Sequence, residues 1–541
     1  MENKSERHIR IYESLKSARA TIEEYWQELM YYTLPRKAYI TRIKSLGDRL
    51  PSDIYDSTAI MANAYFAAGM QAYISSPQTK WFTLGLKNRG LMKNKAVIDY
   101  LRDTEDALTD IINNSNFYQE DVEGYLNMGS IGSDILYCEE DLKTDVNFDS
   151  VPIENIVVTV DAQGRINGAY IEYEFTAEQA LGKFGQAAGS KPKEAYEKSD
   201  YAKKFKYLFC VYLRDIYDQS KLDSKNMPYA SLWINKEEKN VVSEKGFREF
   251  PFFLSRFAKG KGDPYGYSIA MNILPDIKSL NSMEYSNLLG GQTKVRPPLE
   301  IPDEAFLKPY DLNPRGLNIK NTGYPNEHIT PIDLGADVPF GIEYVDRKAQ
   351  KISQAFYNDL FIMIEQIGKM TATEANIRNN QRMQLLGSAI GNIMREKLSP
   401  VIGRVYSIAA RNGKVPELPP ELIDQEYTII YISPLARAQK ALELNNMQAA
   451  IQIIASFGQV QPDVFDNIDF DEAVRQVIDI TNVTPKIIRD DGEVEEIRDG
   501  RAQQDAMAMQ MEMMNKGVDT ITRATEADKN IAETGQPAGV K

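Results

Sequence analysis

The chain has 541 residues, a formal net charge of −14, two cysteines and two histidines. That length allows several cores rather than one, and two cysteines cannot staple a chain of this size, which points to folding in a reducing cytoplasm. The acidic balance excludes a protein that grips nucleic acid by neutralising many phosphates, but not one whose like-charged wall lets a duplex slide past.

The first predicted element is a long amphipathic helix from Ser5 to Leu34. Ile11, Leu15, Ala18, Ile22, Trp26 and Leu29 recur at three and four, and Pro35 closes it. Asp56 or Ser57 is placed to cap a second helix ending near Ile74, whose Ala and Gly residues let a neighbour approach closely. Trp81-Phe82 opens an extended piece, and helices follow at about Lys93 to Asn114 and Tyr118 to Met128. From Ser133 the texture changes to strands: Ile135 to Cys138, Ile156 to Val160 and Ala169 to Phe175, the last two joined by Asp161-Ala162-Gln163-Gly164. Thr176-Ala177-Glu178-Gln179 is a capping box opening a short helix. Gly185 to Asp200 reads as an exposed connection, and strands follow at Tyr207 to Ile216, Tyr229 to Asn235 and Phe250 to Phe257. The class is therefore α+β, a helical N-terminal layer ahead of a mixed body.

The middle of the chain is built differently. Ser268 to Leu289 is helical, with Ile277, Leu280, Met283 and Leu288 roughly on one face and Pro275 marking either its steady start or a kink. Gly290 to Gly341 is too rich in Pro and Gly for any helix and reads as loops and short strands. A second helix is predicted from Asp346 to Ile367 on the spacing of Ile352, Phe356, Leu360, Met363 and Ile367. Two helices thus bracket an irregular tip, the pattern of a projecting hairpin. Beyond the break at Gly368-Lys369-Met370-Thr371, a helix runs from Ala372 to Lys397 and stops at Ser399-Pro400, with another to Arg411. Tyr427 to Ile432 is a strand, the remainder is helical, and Thr525 to Lys541 has the composition of a disordered tail. Met1 to Arg10 is polar and no apolar run approaches a membrane span, so neither a signal peptide nor a span is expected.

Catalytic and metal chemistry finds little to work with. His8, His328, Cys138 and Cys210 have no zinc spacing, and a catalytic pair would have to use His8 on a surface helix or His328 in the tip. Gly185 to Lys191 has the wrong spacing for a phosphate loop, and Pro192 stands where the helix should begin. Glu139-Glu140-Asp141 with Asp145 and Asp149 reads as a solvated hairpin tip, and the acidic run Asp490 to Glu496 as a helix N-terminus. The run Met507, Met509, Met511, Met513 and Met514 reads first as ordinary helix packing and second as a pliable partner surface. No catalytic, cofactor or metal residues are assigned, and no enzyme is expected.

Taken in order, these motifs resemble the portal, or head-to-tail connector, proteins of short-tailed, podovirus-type bacteriophages. The series comprises Trp26 and Pro35, Ile54-Tyr55-Asp56-Ser57-Thr58, and Ser76-Pro77-Gln78-Thr79-Lys80-Trp81-Phe82. It continues with Arg256, Tyr265-Gly266, and Leu274-Pro275-Asp276-Ile277-Lys278-Ser279-Leu280-Asn281. Met370-Thr371-Ala372-Thr373-Glu374-Ala375 and Tyr431-Ile432-Ser433-Pro434-Leu435-Ala436-Arg437-Ala438-Gln439 complete it.

The resemblance implies the portal fold: a wing at 1–267, a stem of two helices at 268–294 and 346–367, and a clip at 295–345. A tunnel loop and wing return at 368–433 and a crown at 434–541 finish it. It implies a closed ring, usually a dodecamer, at one capsid vertex of the virion, assembled in the cytoplasm of the host bacterium. The partners implied are the terminase, tail adaptor proteins, the major capsid or scaffolding protein, and double-stranded DNA in transient contact; no cofactor is implied. Lys369, the one charge in the tunnel-loop break, is the candidate DNA-channel residue. Another structural virion protein, internal or scaffolding, and an enzyme acting on nucleic acid are the alternative classes.

Overall fold

Helix α1 (Lys4–Thr33) ends where its apolar periodicity stops, two residues before Pro35. At 30 residues it is about 45 Å long, and it serves two cores. Its first half places Ile9 and Tyr12 on one face of a sheet; its second half places Trp26, Leu29 and Met30 in the main helical core. The structure, a computed structural model, describes residues 3–43, 51–88, 94–218, 223–260, 262–295, 338–362, 386–423, 427–432, 447–456 and 496–511, with two short strands and a few isolated positions besides.

Two units divide the chain: Met1–Met92 with Ala96–Leu435, and Lys93–Lys95 with Ala436–Lys541. The second is described as helix at residues 447–456 and 496–511. Its Met507, Met509 and Met511 are exposed, so these methionines do not show the ordinary packing expected first.

In the first unit α2 (Thr58–Ile74) is opened by Asp56, whose carboxylate accepts the Thr58 N–H at 2.8 Å. Its small residues do what composition predicts: Gly69 lies under the ring of Phe361, and Asn63 reaches Leu126 O and Ser130 Oγ on a neighbouring helix. Strand β1 (Phe82–Leu86) is followed by α3 (Lys95–Asn114) and α4 (Phe117–Ile131), which Gly132 ends with φ of 80°.

Strands β2 (Ser133–Asp141) and β3 (Asp145–Ser150) form the expected acidic hairpin. Asp141 turns it by accepting the Lys143 and Thr144 N–H groups and the Thr144 hydroxyl, which together lower its pKa. Next come β4 (Ile156–Val160), β5 (Ile166–Thr176), α5 (Ala177–Phe184), α6 (Ser190–Glu197), β6 (Lys204–Leu213), β7 (Tyr229–Asn235), β8 (Asn240–Phe247) and β9 (Phe252–Arg256). Strands β4 to β8 make a five-stranded antiparallel meander, and β3-β2-β9 a three-stranded sheet. The capping box of α5 forms as predicted, both reciprocal bonds included.

Residues 185–200 are largely exposed, as composition predicts, but they carry a helix with buried anchors rather than a plain connection. Ala188 and Ala195 join Ala177, Ala180, Phe205 and Tyr207 in a small core, and the Tyr207 hydroxyl donates to Ala188 O at 2.7 Å. Alanines bury as readily as larger residues but read as loop composition beside Gly and Lys. Pro192 falls in the first turn of α6, where a missing N–H costs nothing. Strand β8 was also not predicted; it carries Glu244 and Lys245 on a sheet edge, where charge is expected and strand pattern is weak.

The chain then passes through β10 (Ala258–Lys259) and β11 (Gly266–Tyr267) into α7 (Ile269–Val295). Strands β12 (Leu299–Glu300) and β13 (Thr330–Pro331) pair, and α8 (Val338–Ala355) and α9 (Asn358–Ile362) follow. The second bracketing helix thus begins before Asp346 and breaks at Tyr357, whose φ is 59°. Ile352, Phe356 and Leu360 are buried all the same, because the break keeps one apolar side inward.

Ser399-Pro400 ends nothing either. Residues 386–393 lead through one π turn (Met394–Leu398) into α10 (Ser399–Arg411), and Pro400 sits in the first turn after it. Finally β14 (Tyr427–Tyr431) pairs antiparallel with β1.

Candidate functional site at the root of the helix pair

Helices α7 and α8 run antiparallel. Asp276 of α7 pairs with Lys348 (2.5 Å) and Lys351 (2.7 Å) of α8, whereas Asn287, farther along α7, lies against Gly341, earlier in α8. The two lysines hold the Asp276 carboxyl below the usual range. All buried residues of α7 lie between Ile269 and Leu280. Past that point Met283 is half-buried and Tyr285 packs its ring on Tyr55, but Tyr285 is still 41% exposed, Leu288 49% and Val295 81%, with Ile342 exposed on α8. Leu288 is therefore not part of an inward face within one chain.

The pair is rooted by close backbone contact and shared polar groups. Gly132 and Gly266 meet backbone to backbone, leaving no room for a Cβ on either. Ser133 Oγ accepts the Gly266 N–H at 2.7 Å, and Ser268 Oγ donates to Ser130 O at 2.9 Å while accepting the Met271 N–H at 3.0 Å, so it caps α7. Tyr265 stands edge-on to Trp26, with the Arg19 guanidinium over both rings and donating to the Tyr265 hydroxyl.

Pro275 lies inside α7 and supplies no N–H to the carbonyl four residues back, that of Met271. The Tyr25 hydroxyl of α1 donates to that oxygen instead, at 3.2 Å.

The π turn brings two charges to the root. Glu396 accepts from the Arg256 guanidinium and backbone N–H and pairs with Lys259, while Arg256 also donates to the carbonyls of Gly164, Asp263 and Pro264. The next residue, Lys397, is completely buried between Asp121 (2.7 Å) and Asp134 (3.2 Å), both also buried, with the Tyr125 ring beneath it. Burial works against its charge, yet the two carboxylates outweigh burial and hold its pKa above the ordinary lysine value. Ser75 donates to Asp121, and Ser150 and Asn127 to Asp134. Such a triad is a structural clamp: removal of any member leaves charge stranded in the interior.

These contacts explain the motif series. Asn281 accepts the N–H groups of Tyr55 and Asp56 and donates to Asp53 O, so residues 53–56 meet the Leu274 to Asn281 run. Trp81 stacks on Tyr431 and Phe82 pairs with it, so the Ser76 to Phe82 run meets the Tyr431 run. Arg256 and Tyr265-Gly266 lie at the root itself.

Lys369, the rest of the Gly368 to Thr371 break and the Met370 to Ala375 motif lie outside the described residues, as does the tip at 301–329 with His328. His8 is not on the surface. It is buried with its ring 4.2 Å from that of Tyr212, and burial, then Arg7 and Lys4, pull its pKa down to about 4. Cys138 and Cys210 are buried free thiols, and burial pushes Cys138 up to about 11. Among the described residues no cluster of His, Cys, Asp or Glu is arranged to hold a metal ion. Arg19, Asp121, Asp134, Glu396 and Lys397 were not singled out from sequence, where each is one charge among many.

The chain matches the family described as "Bacteriophage head to tail connecting protein" over residues 5–488. It is 26% identical over 521 residues to the probable portal protein of Bordetella phage BPP-1, covering 95% of this chain and 94% of that protein. It is 27% identical over 545 residues to the portal protein of Salmonella phage epsilon15, covering 97% of each. With its motif residues meeting in pairs around the helix root and a match spanning nearly all of it, the chain belongs to the bacteriophage head-to-tail connecting family, that of the portal proteins.

Proposed function

We propose that the chain assembles into a closed ring, a dodecamer, at one capsid vertex and forms the channel for genome packaging and ejection. In this reading α7 and α8 are the stem, the tip at 295–345 is the clip, and residues 434–541 are the crown. The clip docks the terminase first and tail adaptor proteins later, and the wing meets the major capsid or scaffolding protein. The observation that carries the reading is the apolar surface of α7 beyond Leu280, which a single chain leaves in water and a ring of neighbours would bury. The net charge of −14 suits a passage that DNA crosses without being gripped. Among the described residues no helix is long and apolar enough to cross a membrane. The protein is non-catalytic in this reading, and the motor does the ATP hydrolysis.

Native mass spectrometry and negative-stain views of the purified chain test this. A ring with a hole wide enough for a duplex is expected; only monomers and dimers across salt and concentration would overturn it, and particles without a hole would favour an internal or scaffolding role. Lys369, repeated around such a ring, makes a basic girdle of weak, salt-screened phosphate contacts. Lys369→Glu rings should assemble normally yet package shorter or leakier genomes. Unchanged packaged length and retention would return Lys369 to capping a helix end.

A further inference from the structure

One lysine beside the five-stranded sheet is held differently from its neighbours. Lys191, Lys198, Lys204, Lys206 and Lys236 each carry an amine 2.6–3.8 Å from a carboxylate. Lys183 has no such ion pair among the described residues, and Glu139 of β2 acts on it only at longer range. Its Nζ stands instead over four aromatic rings. It lies 4.2 Å from the centroid of Trp233, 5.0 Å from Phe175, 5.9 Å from Phe184 and 6.0 Å from Tyr173.

The rings come from three elements. Tyr173 and Phe175 stack on each other along β5, Phe184 ends α5, and Trp233 of β7 stacks in turn on Phe209 of β6. Strand register therefore fixes most of the box, and the capping box fixes the start of the helix that carries the lysine. All four rings are half-buried and Lys183 itself is exposed, so the open side of the box meets water.

Ring faces attract an ammonium, but they also displace the water that would solvate it and supply no counter-charge. The place of Lys183 in the last turn of α5 favours the charge, and so does Glu139. Burial outweighs both and holds the amine below the ordinary lysine pKa. A lysine desolvated in this way keeps a larger neutral, nucleophilic fraction than one tied to a carboxylate.

We propose that Lys183 is an acylation site, whose amine takes an acyl group from a small activated donor, an acyl phosphate or thioester, ahead of the paired lysines around it. The neutral Nζ attacks the acyl carbonyl and a C–N bond forms. The C–O bond to phosphate, or the C–S bond to thiolate, breaks and its electron pair leaves with that group, while the surplus amine proton passes to water. The amide that results is uncharged, so it rests on the Trp233 face without the desolvation cost of an ammonium.

Site-resolved mass spectrometry of the full chain, treated with acetyl phosphate and separately with a small acetyl thioester, tests this. Near neutral pH the folded chain should acetylate Lys183 at least about threefold faster than the exposed, paired Lys198 and Lys204. Unfolding in urea should abolish that preference, and the arm in which it is larger names the donor. Glu139→Gln, at an exposed position, removes a charge that favours the ammonium and should quicken Lys183 further. Phe184→Leu opens the box to water and should slow Lys183 toward the Lys198 rate. A Lys183 rate no higher than that of Lys198 in both arms overturns the proposal, and so does a preference that survives unfolding.

Discussion

Lys397 holds two buried carboxylates apart. Lys397→Met keeps the volume but strands Asp121 and Asp134 in the interior, at a cost of about 3–5 kcal/mol. Calorimetry should show the first unit unfolding well below wild type, and Lys397→Arg should not rescue it, since a planar fork does not fit a site shaped for an ammonium. A melting profile unchanged by Lys397→Met would remove the triad as a clamp. Because the folded pKa of this lysine is raised, its contribution is complete below the unfolded value and fades only as pH climbs past the folded one. His8 behaves in the opposite sense. Its pKa falls from 6.5 unfolded to about 4 folded, so the unfolded chain takes up a proton first and stability drains as pH falls through that window. The full effect is about 3 kcal/mol. Melting temperature should drop between pH 7 and pH 4.5 more for wild type than for His8→Gln, and equal drops would clear His8 of any part in it.

At the scale of elements, the bond from Tyr25 to Met271 O replaces the one that Pro275 cannot make. Tyr25→Phe should cost about 0.5–1 kcal/mol in the wild-type background and close to nothing once Pro275→Ala restores the N–H. A double-mutant cycle on unfolding measures this, and purely additive losses would mean the two groups are unconnected. The sequence announced the helices with clear apolar periodicity, such as α1 and α3, and the α5 capping box, because those signals are local. It placed the two long helices of the hairpin but not the break at Tyr357, since Ile352, Phe356 and Leu360 stay buried on either side of it. It missed α6, whose core is alanine, and read Ser399-Pro400 as a stop where a π turn carries the helix through. Family motifs led to the neighbourhood of the root, through Trp26, Arg256 and Tyr265-Gly266. The charges that clamp it were not legible, because Lys397 meets its partners across more than 260 residues of sequence.

For the whole molecule, the paired strands β12 and β13 bring the chain back on itself at Leu299–Glu300 and Thr330–Pro331, between α7 and α8. Replacing residues 301–329, between the paired strands, with a short Gly/Ser linker should leave a ring but abolish docking of motor and tail adaptor. Rings that still package DNA and acquire tails would contradict the clip assignment; loss of the ring itself would show that tip contacts help hold subunits together.

The pairing of β1 with β14 also bears on how the protein is made. Phe82 meets Tyr431, about 350 residues later, so at 5–20 residues per second the ribosome needs roughly 20–70 s to deliver the partner strand. Throughout that interval β1 is a finished strand with nothing to pair with, and α3, synthesised next, supplies Glu105 to only one of its two sides. The N-terminal helices are thus completed early but cannot be sealed until Tyr431 has emerged. Slowing translation between codons 90 and 430 should therefore lengthen the period in which nascent chains stick to one another or to chaperones, whereas slowing it over the final stretch of the message, when Tyr431 is already outside the ribosome, should not.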